Sequence, residues 1–280
     1  MDIQTAISEA RFLLEKSSIK SPKLDCEMLM SKVLNKSRIY VLLNLNKNLK
    51  NKKYNDFTNL IKKRSGGKPI AYLMEKKEFW DHEFRVREGI LIPRPDTELI
   101  VEQVLSLTKN KSKLRILDIG TGSGCIILSI LKERKDFKGI GIDISKKCID
   151  MCKINTFKLN LTNRVKFYKS NVDNFVDAKY DLIVSNPPYI DKINLKCLEK
   201  DVIDYEPKSS LDGGLDGLSE IRKIIEKSSE LIKINGKLIL EIAFDQKFKV
   251  IKLLKDRGFY INRVLKDLAK NDRCIVSTKL

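Results

Sequence analysis

Histidine is almost missing from this chain, since His82 is the only one among 280 residues. It lies in a charged, aromatic stretch, far from any serine or cysteine in the setting of a nucleophile, which argues against a histidine-based catalytic triad. The six cysteines are scattered, and none has the spacing of zinc ligands. We therefore expect no metal site and no disulfide scaffold, and any catalysis must use other groups.

Long apolar runs are missing as well. The longest, such as Ile126 to Leu131 and Leu238 to Ile242, fall far below the roughly 20 residues that a membrane helix needs. The N-terminal residues carry no apolar signal segment, so we expect a cytoplasmic protein without membrane association. The phosphate-binding pattern GxxxxGK[ST] is also absent, so phosphate transfer from ATP is not supported.

Acidic residues are too few to balance the basic ones, and the formal net charge is +18. This excess suits an anionic partner such as nucleic acid. However, 42 of the basic residues are Lys and 13 are Arg, whereas forked recognition of phosphates and base edges favours Arg. Compositional bias explains a lysine-rich chain equally well. The charge is denser in residues 1–75, with a net +8, than in residues 76–280, with a net +10.

The front of the chain has the pattern of a small helical bundle. From Ile3 to about Arg64 the apolar residues recur at helical spacing, so residues 1–75 are predicted to form a helical domain. Residues 76–92 follow as a β-hairpin linker, because aromatic residues and alternation mark this stretch and Gly89 provides a turn. A helix is then predicted to begin near Asp96.

Residues 93–280 form the second predicted domain. From Lys113 onward, seven strand-like runs alternate with helical patterns, which predicts an α/β fold: a doubly wound, mostly parallel sheet with helices on both faces. The last two strands are separated by a short polar stretch with Asn271 and Asp272, so they are expected to pair as a hairpin at the sheet edge.

A glycine-rich loop follows the first strand of this domain. It contains Gly120, Thr121, Gly122, Ser123 and Gly124 and runs directly into a helix, so its backbone can approach a ligand. The pattern is GxGxG, with Cys125 where a dinucleotide fingerprint has its third glycine. Asp143 ends the second strand, where a carboxylate can accept hydrogen bonds from both ribose hydroxyls. A tight turn and a helix cap would explain the two features separately, but together they favour a nucleoside ligand.

The segment Asn186-Pro187-Pro188-Tyr189 directly follows the apolar strand Tyr180–Val184. Consecutive prolines make a rigid turn whose carbonyl groups cannot all be satisfied by local N–H groups, so acceptors are left. Asn186 adds a side-chain acceptor and Tyr189 an aromatic face, so the loop is suited to bind a planar NH2 group. A plain proline-terminated strand is the alternative. The glycine loop, Asp143, Asn171-Val172 and Asn186 all follow strands, so they are expected to converge on one crevice.

These motifs resemble those of class I S-adenosylmethionine-dependent methyltransferases with a Rossmann-like sheet, and NPPY is similar to the motif of the amino-group methylating branch. Further segments, together with the helical front domain, resemble the release factor glutamine methyltransferase family (HemK/PrmC). The resemblance extends over essentially the full length of the chain. The segments are Glu78-Phe79-Trp80, Leu91-Ile92-Pro93-Arg94-Pro95-Asp96-Thr97-Glu98, Tyr205-Glu206-Pro207 and Leu211-Asp212-Gly213-Gly214-Leu215-Asp216-Gly217-Leu218. The segment from Arg94 to Glu98 is similar to the release factor enzymes rather than to those that methylate a ribosomal protein glutamine.

The resemblance implies S-adenosyl-L-methionine as the cofactor and the glutamine of the Gly-Gly-Gln motif of peptide chain release factors as the methyl acceptor. The implied cofactor-binding residues are Gly120, Thr121, Gly122, Ser123, Gly124, Asp143, Asn171, Val172 and Asn186. The implied catalytic residues are Asn186, Pro187 and Tyr189, and Pro188 joins them in binding substrate. Asn186 Oδ1 and the Pro187 carbonyl would accept the two amide N–H bonds, with Tyr189 against the amide plane.

The resemblance also implies that the basic front domain recognises the release factor and is not a nucleic-acid reader. We expect the chain to be a monomer that binds no nucleic acid directly. Two other functions stay open: an amino-group methyltransferase acting on nucleic acid or on a ribosomal protein glutamine, and a non-catalytic nucleoside-binding adaptor. Two departures from the family pattern are present. Asn171-Val172-Asp173 stands in the loop where many relatives have an acidic residue, which leaves the position of the adenine contact open by one residue. Ala243-Phe244 follows Ile242 where relatives commonly have glycine, which we expect to alter local packing rather than activity.

Overall fold

The computed structural model describes all 280 residues, and they form two compact units. The smaller unit contains Met1–Lys76 and Glu199–Tyr205, and the larger contains Lys77–Leu198 and Glu206–Leu280. None of the helices has the length and apolar character that crossing a membrane requires. The elements are α1 (Ile3–Lys16), α2 (Pro22–Leu34), α3 (Arg38–Leu43), α4 (Asn51–Ser65), α5 (Ile70–Met74), β1 (Lys76–Phe79), β2 (His82–Arg85), α6 (Glu98–Leu107), β3 (Arg115–Ile119), α7 (Cys125–Glu133), β4 (Lys138–Asp143), α8 (Lys146–Lys158), β5 (Val165–Lys169), β6 (Tyr180–Ser185), α9 (Lys200–Tyr205), α10 (Ser219–Leu231), β7 (Ile232–Glu241), α11 (Lys247–Asp256), β8 (Phe259–Lys266) and β9 (Asp272–Lys279).

The smaller unit is a helical bundle around one apolar core. The Asp2 carboxylate caps α1 by accepting the Thr5 N–H at 2.7 Å, and Pro22 occupies the first turn of α2, where its missing N–H costs nothing. The short helices α3 and α5 were not predicted, because five or six residues are too few to show a helical period. The helix α9 also belongs to this unit, although it comes from the long segment after β6.

A buried ion pair joins α2 to α4. Arg64 Nε donates to Asp25 Oδ2 at 2.7 Å, and the two side chains are only 9% and 2% exposed. Ser21 Oγ donates to the other oxygen of Asp25 at 3.0 Å, and the Arg64 guanidinium also donates to the Lys68 carbonyl at 3.1 Å. Both charges therefore have their hydrogen-bonding partners, which a buried pair requires.

The hairpin of β1 and β2 turns at Trp80-Asp81. The predicted turn at Gly89 is also present after β2, where Gly89 has a left-handed φ of 85° and the Ile90 N–H donates to the Arg87 carbonyl at 3.2 Å. Trp80 adopts a left-handed φ of 53°, a conformation that sequence rules do not expect of tryptophan. Tertiary contacts stabilise it, since the Trp80 backbone N–H donates to Glu98 Oε1 at 2.7 Å. This hairpin was predicted as a linker, and from Lys77 onward it lies within the larger unit. Its Phe79 and Phe84 side chains are buried in a core of that unit.

The larger unit contains a seven-stranded sheet in the order β5-β4-β3-β6-β7-β9-β8, which confirms the predicted fold class. All neighbours are parallel except β9, which pairs antiparallel with both β7 and β8. Alternate strand residues enter two cores: Ile116 and Leu182 pack with α6 and α7, while Leu117 and Ile183 pack with α10 and α11. The chain runs from β3 outward to β5 and then returns to β6 on the opposite side of β3.

We predict that Arg64→Ala lowers the free energy of unfolding of the smaller unit by about 3–5 kcal/mol, because it leaves the buried Asp25 carboxylate without its counter-charge. The matched control is Arg11→Ala. Arg11 forms an ion pair of the same 2.7 Å length with Glu15, but both side chains are about half exposed, so the loss should be about 0.3–0.5 kcal/mol. Urea unfolding followed by circular dichroism measures both, and equal losses would contradict the prediction.

Candidate active site

A cavity of about 400 Å³ lies in the larger unit at the carboxyl ends of its parallel strands. Eight of the predicted site residues line it, namely Gly120, Gly122, Asp143, Asn171, Val172, Asn186, Pro187 and Pro188. The other four, Thr121, Ser123, Gly124 and Tyr189, are not among its lining residues. The structure thus brings the glycine loop, Asp143 and the NPPY loop, which are up to 68 residues apart in sequence, to one cavity.

The glycine loop connects β3 to α7 through left-handed backbone. Gly120 and Gly122 have φ values of 73° and 57°, which other residues adopt only with strain. An added Cβ at either position would meet no protein atom within 4 Å, so the space beside the loop is open to a ligand. Thr121 is not among the residues that line the cavity, and its hydroxyl donates to Asp118 Oδ2 at 2.7 Å. This hydrogen bond anchors the loop to the end of β3, and the ligand contact of Thr121 stays a prediction.

Two side-chain oxygens in β3 and the glycine loop are buried without a hydrogen-bond partner, Asp118 Oδ1 and Ser123 Oγ. Asp118 is fully buried, and this burial raises the pKa of its carboxyl group to about 7, although the Thr121 hydrogen bond opposes the shift. Unpaired buried polar atoms are costly in a folded protein. Neither Asp118 nor Ser123 is among the residues that line the cavity, so neither atom is assigned to a ligand.

The Asp143 carboxylate connects the glycine loop to the start of α8. Its two oxygens accept the Gly122 N–H at 3.0 Å and the Ser145 N–H at 2.8 Å. Ser145 is the N-cap of α8, with its Oγ accepting the Cys148 N–H, so Asp143 is not the helix cap that its position also suggested. Burial raises the pKa of Asp143, while these backbone hydrogen bonds act in the opposite direction. Each oxygen keeps a lone pair for a ligand in the cavity.

The Asn186 side chain is oriented by a residue that the sequence analysis did not assign. Asn186 Nδ2 donates to Thr97 Oγ1 at 3.0 Å, and Thr97 is buried immediately before α6. Because the Asn186 amino group donates to Thr97, the amide orientation is fixed and the Asn186 Oδ1 atom is available as an acceptor. Thr97 is part of the segment Leu91 to Glu98 that carried the family resemblance, but nothing in the sequence indicated its contact with a residue 89 positions away.

Tyr189 packs against the core under the sheet, and its hydroxyl donates to Glu241 Oε1 at 3.3 Å. Glu241 ends β7, is only 2% exposed, and has a second oxygen without a partner. Burial raises the pKa of Glu241 to about 7 against the opposing effects of Thr97, Arg273 and Tyr189. Burial raises the pKa of Tyr189 as well, so its hydroxyl stays protonated and acts as a donor.

Arg94 and Glu98 support the segment that leads into α6. The Arg94 guanidinium pairs with buried Glu206, whose second oxygen accepts the Ile92 N–H at 3.2 Å. Glu98 accepts the Trp80 N–H, as described for the hairpin. Glu98 therefore holds the Trp80 backbone directly, and Arg94 holds the Glu206 carboxylate that bonds the Ile92 backbone. Neither Arg94 nor Glu98 is among the residues that line the cavity.

Comparison with known proteins agrees with this organisation. Residues 5–74 match the model of the PrmC N-terminal domain, and residues 110–276 match a methyltransferase domain. A release factor glutamine methyltransferase of Buchnera aphidicola subsp. Schizaphis graminum is 40% identical over 263 residues, 94% of each chain. Another, of Clostridium botulinum, is 38% identical over 284 residues, the full length of both. The chain belongs to the release factor glutamine methyltransferase family.

The family predicted from the NPPY loop and its companion segments is thus confirmed. Among solved structures, the ribosomal protein L11 methylase of Lactobacillus delbrueckii subsp. bulgaricus superposes with a TM-score of 0.51 at 18% identity. It covers 72% of this chain and 89% of its own. Identity at that level shows the shared methyltransferase fold, whereas membership of the release factor glutamine methyltransferase family follows from the full-length relatives.

The raised pKa of Glu241 predicts a pH-dependent stability. The folded state binds this proton more tightly than the unfolded chain, whose glutamate has the ordinary value of 4.5. The stabilisation of the folded state by the protonated Glu241 carboxyl group is therefore complete below pH 4.5, and it is lost as the pH rises through about 7. We predict that Glu241→Gln, which cannot ionise, gains about 3 kcal/mol relative to the native chain between these limits.

Urea unfolding of both proteins across this pH range measures the difference. The exposed Glu102→Gln variant controls for the loss of a negative charge from the surface. A Glu241→Gln difference that stays constant with pH would show that the buried carboxyl group does not change its ionisation there.

Proposed function

We propose that this chain transfers the methyl group of S-adenosyl-L-methionine to the side-chain amide nitrogen of the glutamine in the Gly-Gly-Gln motif of peptide chain release factors. The observation that carries the proposal is the Asn186 amide at the cavity, oriented by Thr97 so that its oxygen is an acceptor. Relatives named for this activity, 38–40% identical over nearly the whole chain, support it.

The cavity fits the cofactor in volume and chemistry. About 400 Å³ lies within the usual range for small-molecule sites. The open space beside Gly120 and Gly122 suits close backbone approach, and the remaining lone pairs of Asp143 suit ribose hydroxyls. Val172 and Ile224 offer an apolar wall for a purine, and the Asn171 side chain can bond its exocyclic amine. S-adenosyl-L-methionine supplies a methyl group activated by attachment to a sulfonium sulfur.

The NPPY loop supplies the acceptors for the substrate amide. An amide nitrogen is a poor nucleophile because its lone pair is delocalised into the carbonyl, so its geometry must be controlled. We assign Asn186 Oδ1 and the Pro187 carbonyl to accept the two N–H bonds, which directs the lone pair toward the cofactor side of the cavity. Pro188 contributes rigidity, and Tyr189 gives the aromatic face beside the amide. Orientation of this kind recovers on the order of 7–11 kcal/mol of a barrier.

No side chain is required as a strong base in this arrangement. Methylation makes the amide nitrogen strongly acidic, so its proton passes to water once the new bond has formed. This is consistent with the single histidine, which lies in β2 and is not among the cavity residues. The role of the chain is to orient the amide.

The smaller unit is proposed to recognise the release factor. It contains residues 5–74, which match the PrmC N-terminal domain, and it carries the denser positive charge. Its longest helix, α4, exposes Lys52, Lys62 and Lys63. An exposed basic face suits a protein partner with acidic groups on its surface.

We predict that Asn186→Ala lowers kcat for release factor methylation by about 100-fold or more, because one of the two acceptors of the amide is lost. Cofactor affinity should fall only modestly, by about threefold, because the other cavity contacts remain. Single-turnover kinetics and equilibrium cofactor binding measure the two effects. The control is Asn110→Ala, an exposed asparagine beyond the end of α6. An active Asn186→Ala variant would contradict the assigned role.

The acceptor is tested with radiolabelled S-adenosyl-L-methionine and three substrates: purified release factor, ribosomal protein and nucleic acid. We expect label in the release factor, and we expect it to be lost when the glutamine of its Gly-Gly-Gln motif is replaced. Label found only in nucleic acid or in ribosomal protein would overturn the proposed function.

Charge reversal tests the proposed docking unit. We predict that the combined Lys52→Glu, Lys62→Glu and Lys63→Glu variant raises KM for intact release factor about tenfold at low salt, and leaves KM for a short Gly-Gly-Gln peptide unchanged. The matched control reverses three exposed lysines on a helix of the larger unit, Lys249, Lys252 and Lys255 of α11. An equal effect of both triple variants would point to net charge alone.

A further inference from the structure

The backbone of the NPPY loop is bound by the amide side chain of Gln246, a residue outside the cavity. Gln246 directly precedes α11 and is only 4% exposed. Its Nε2 donates to the Tyr189 carbonyl at 3.0 Å and to the Gly217 carbonyl at 3.0 Å. Its Oε1 accepts the Ala243 N–H at 3.1 Å. One buried side chain therefore connects three separate loops of the larger unit.

Only a primary amide can make these three contacts at once, because it has two N–H donors and a carbonyl acceptor on one planar group. A carboxylate of the same size would place negative charge against two carbonyl oxygens. An apolar side chain of the same size would leave two carbonyls and one N–H buried without a partner. The identity of residue 246 is therefore constrained by chemistry and not only by volume.

The segment after Tyr189 is held on a fixed path as well. The Ile190 N–H donates to the Leu211 carbonyl at 3.1 Å, and the Gly213 N–H donates back to the Ile190 carbonyl at 2.8 Å. At the other end of the loop, Thr97 holds Asn186. The four NPPY residues are therefore attached at both ends, by Thr97 on one side and by Gln246 with the 211–213 segment on the other.

We propose that Gln246 is a positioning residue for methyl transfer, which holds the Tyr189 carbonyl so that Asn186 Oδ1 and the Pro187 carbonyl keep the spacing that two N–H bonds of one amide require. This inference rests on the proposed function and assigns no contact between Gln246 and substrate. It also gives a role to the backbone of Ala243, whose N–H is bonded by Gln246 whatever its side chain.

Gln246→Glu provides a test with a pH signature. A protonated carboxyl group has one O–H donor and one acceptor and restores part of the network, whereas the ionised group has no donor. We expect kcat, taken relative to the native protein at each pH, to fall about tenfold or more at alkaline pH and to recover partly as the pH is lowered. KM for the release factor and the affinity for cofactor should stay within about threefold of the native values.

Gln246→Met is the companion variant, because it keeps the size and has no hydrogen-bonding amide. We expect its relative kcat to fall similarly at every pH, without recovery in acid. Gln4→Met, an exposed glutamine of the smaller unit, is the control for the substitution itself. A purely structural role of Gln246 would change thermal stability and leave kcat of the folded protein unchanged. A folded Gln246→Met variant with native kcat would therefore overturn the proposal.

Amide hydrogen exchange gives a second readout that does not depend on the substrate. The Ile190 and Gly213 amides should exchange faster in Gln246→Met than in the native protein, because the adjacent carbonyl is released. Unchanged protection would overturn the proposal even if activity fell. If the native protein failed to methylate release factor, the proposed function would be wrong, whereas the exchange result would still decide whether Gln246 holds the loop.

Discussion

The parallel pairing of β3 with β6 is the constraint on which the rest of the candidate site depends. It places Ile119 beside Ser185, and the Ser185 hydroxyl donates to the Ile119 carbonyl at 2.7 Å where the two strands end. The glycine loop leaves β3 at this point and the NPPY loop leaves β6 at the same level. Because β4 and β6 lie on opposite sides of β3, the loops separate and leave a crevice between them. A one-residue change of register would move Asn186 away from the cavity.

The site around this crevice is built from polar side chains that hold backbone, and those of Glu206 and Gln246 are buried. Asp143 binds two N–H groups, Glu206 binds the Ile92 N–H, and Gln246 binds two carbonyls. Burial of such groups is costly unless they are paired, so each contact strongly favours one loop conformation. The chemistry proposed for the NPPY loop needs this rigidity more than it needs a reactive side chain. A site that contains few histidines and many amides and carboxylates bonded to backbone is consistent with this requirement.

The parts that could be predicted from sequence were those with local signals. The sheet was predictable because apolar strand patterns repeat, and the glycine loop, Asp143 and NPPY were found because each follows such a strand. Thr97, Glu241 and Gln246 could not be assigned roles in this way. Thr97 lies 89 residues from Asn186, and Glu241 and Gln246 lie 52 and 57 residues from Tyr189. The turn at Gly89 was predictable from its glycine, whereas the turn at Trp80 was not, because the hydrogen bond to Glu98 that stabilises it is not local. The place of Lys200–Tyr205 in the smaller unit was likewise set by distant contacts, among them Tyr205 with Gly66.

The sequence by itself determined the fold class, the family and the motifs that line the cavity, because periodicity, proline and glycine act over a few neighbouring residues. Only the tertiary structure decided which way the Asn186 amide points, which carboxyl groups lose their charge near neutral pH, and what holds the NPPY loop. Those properties arise from burial and from hydrogen bonds between distant segments. Burial and long-range hydrogen bonds depend on which strands are neighbours in the sheet, and the local sequence pattern does not predict the order of the strands.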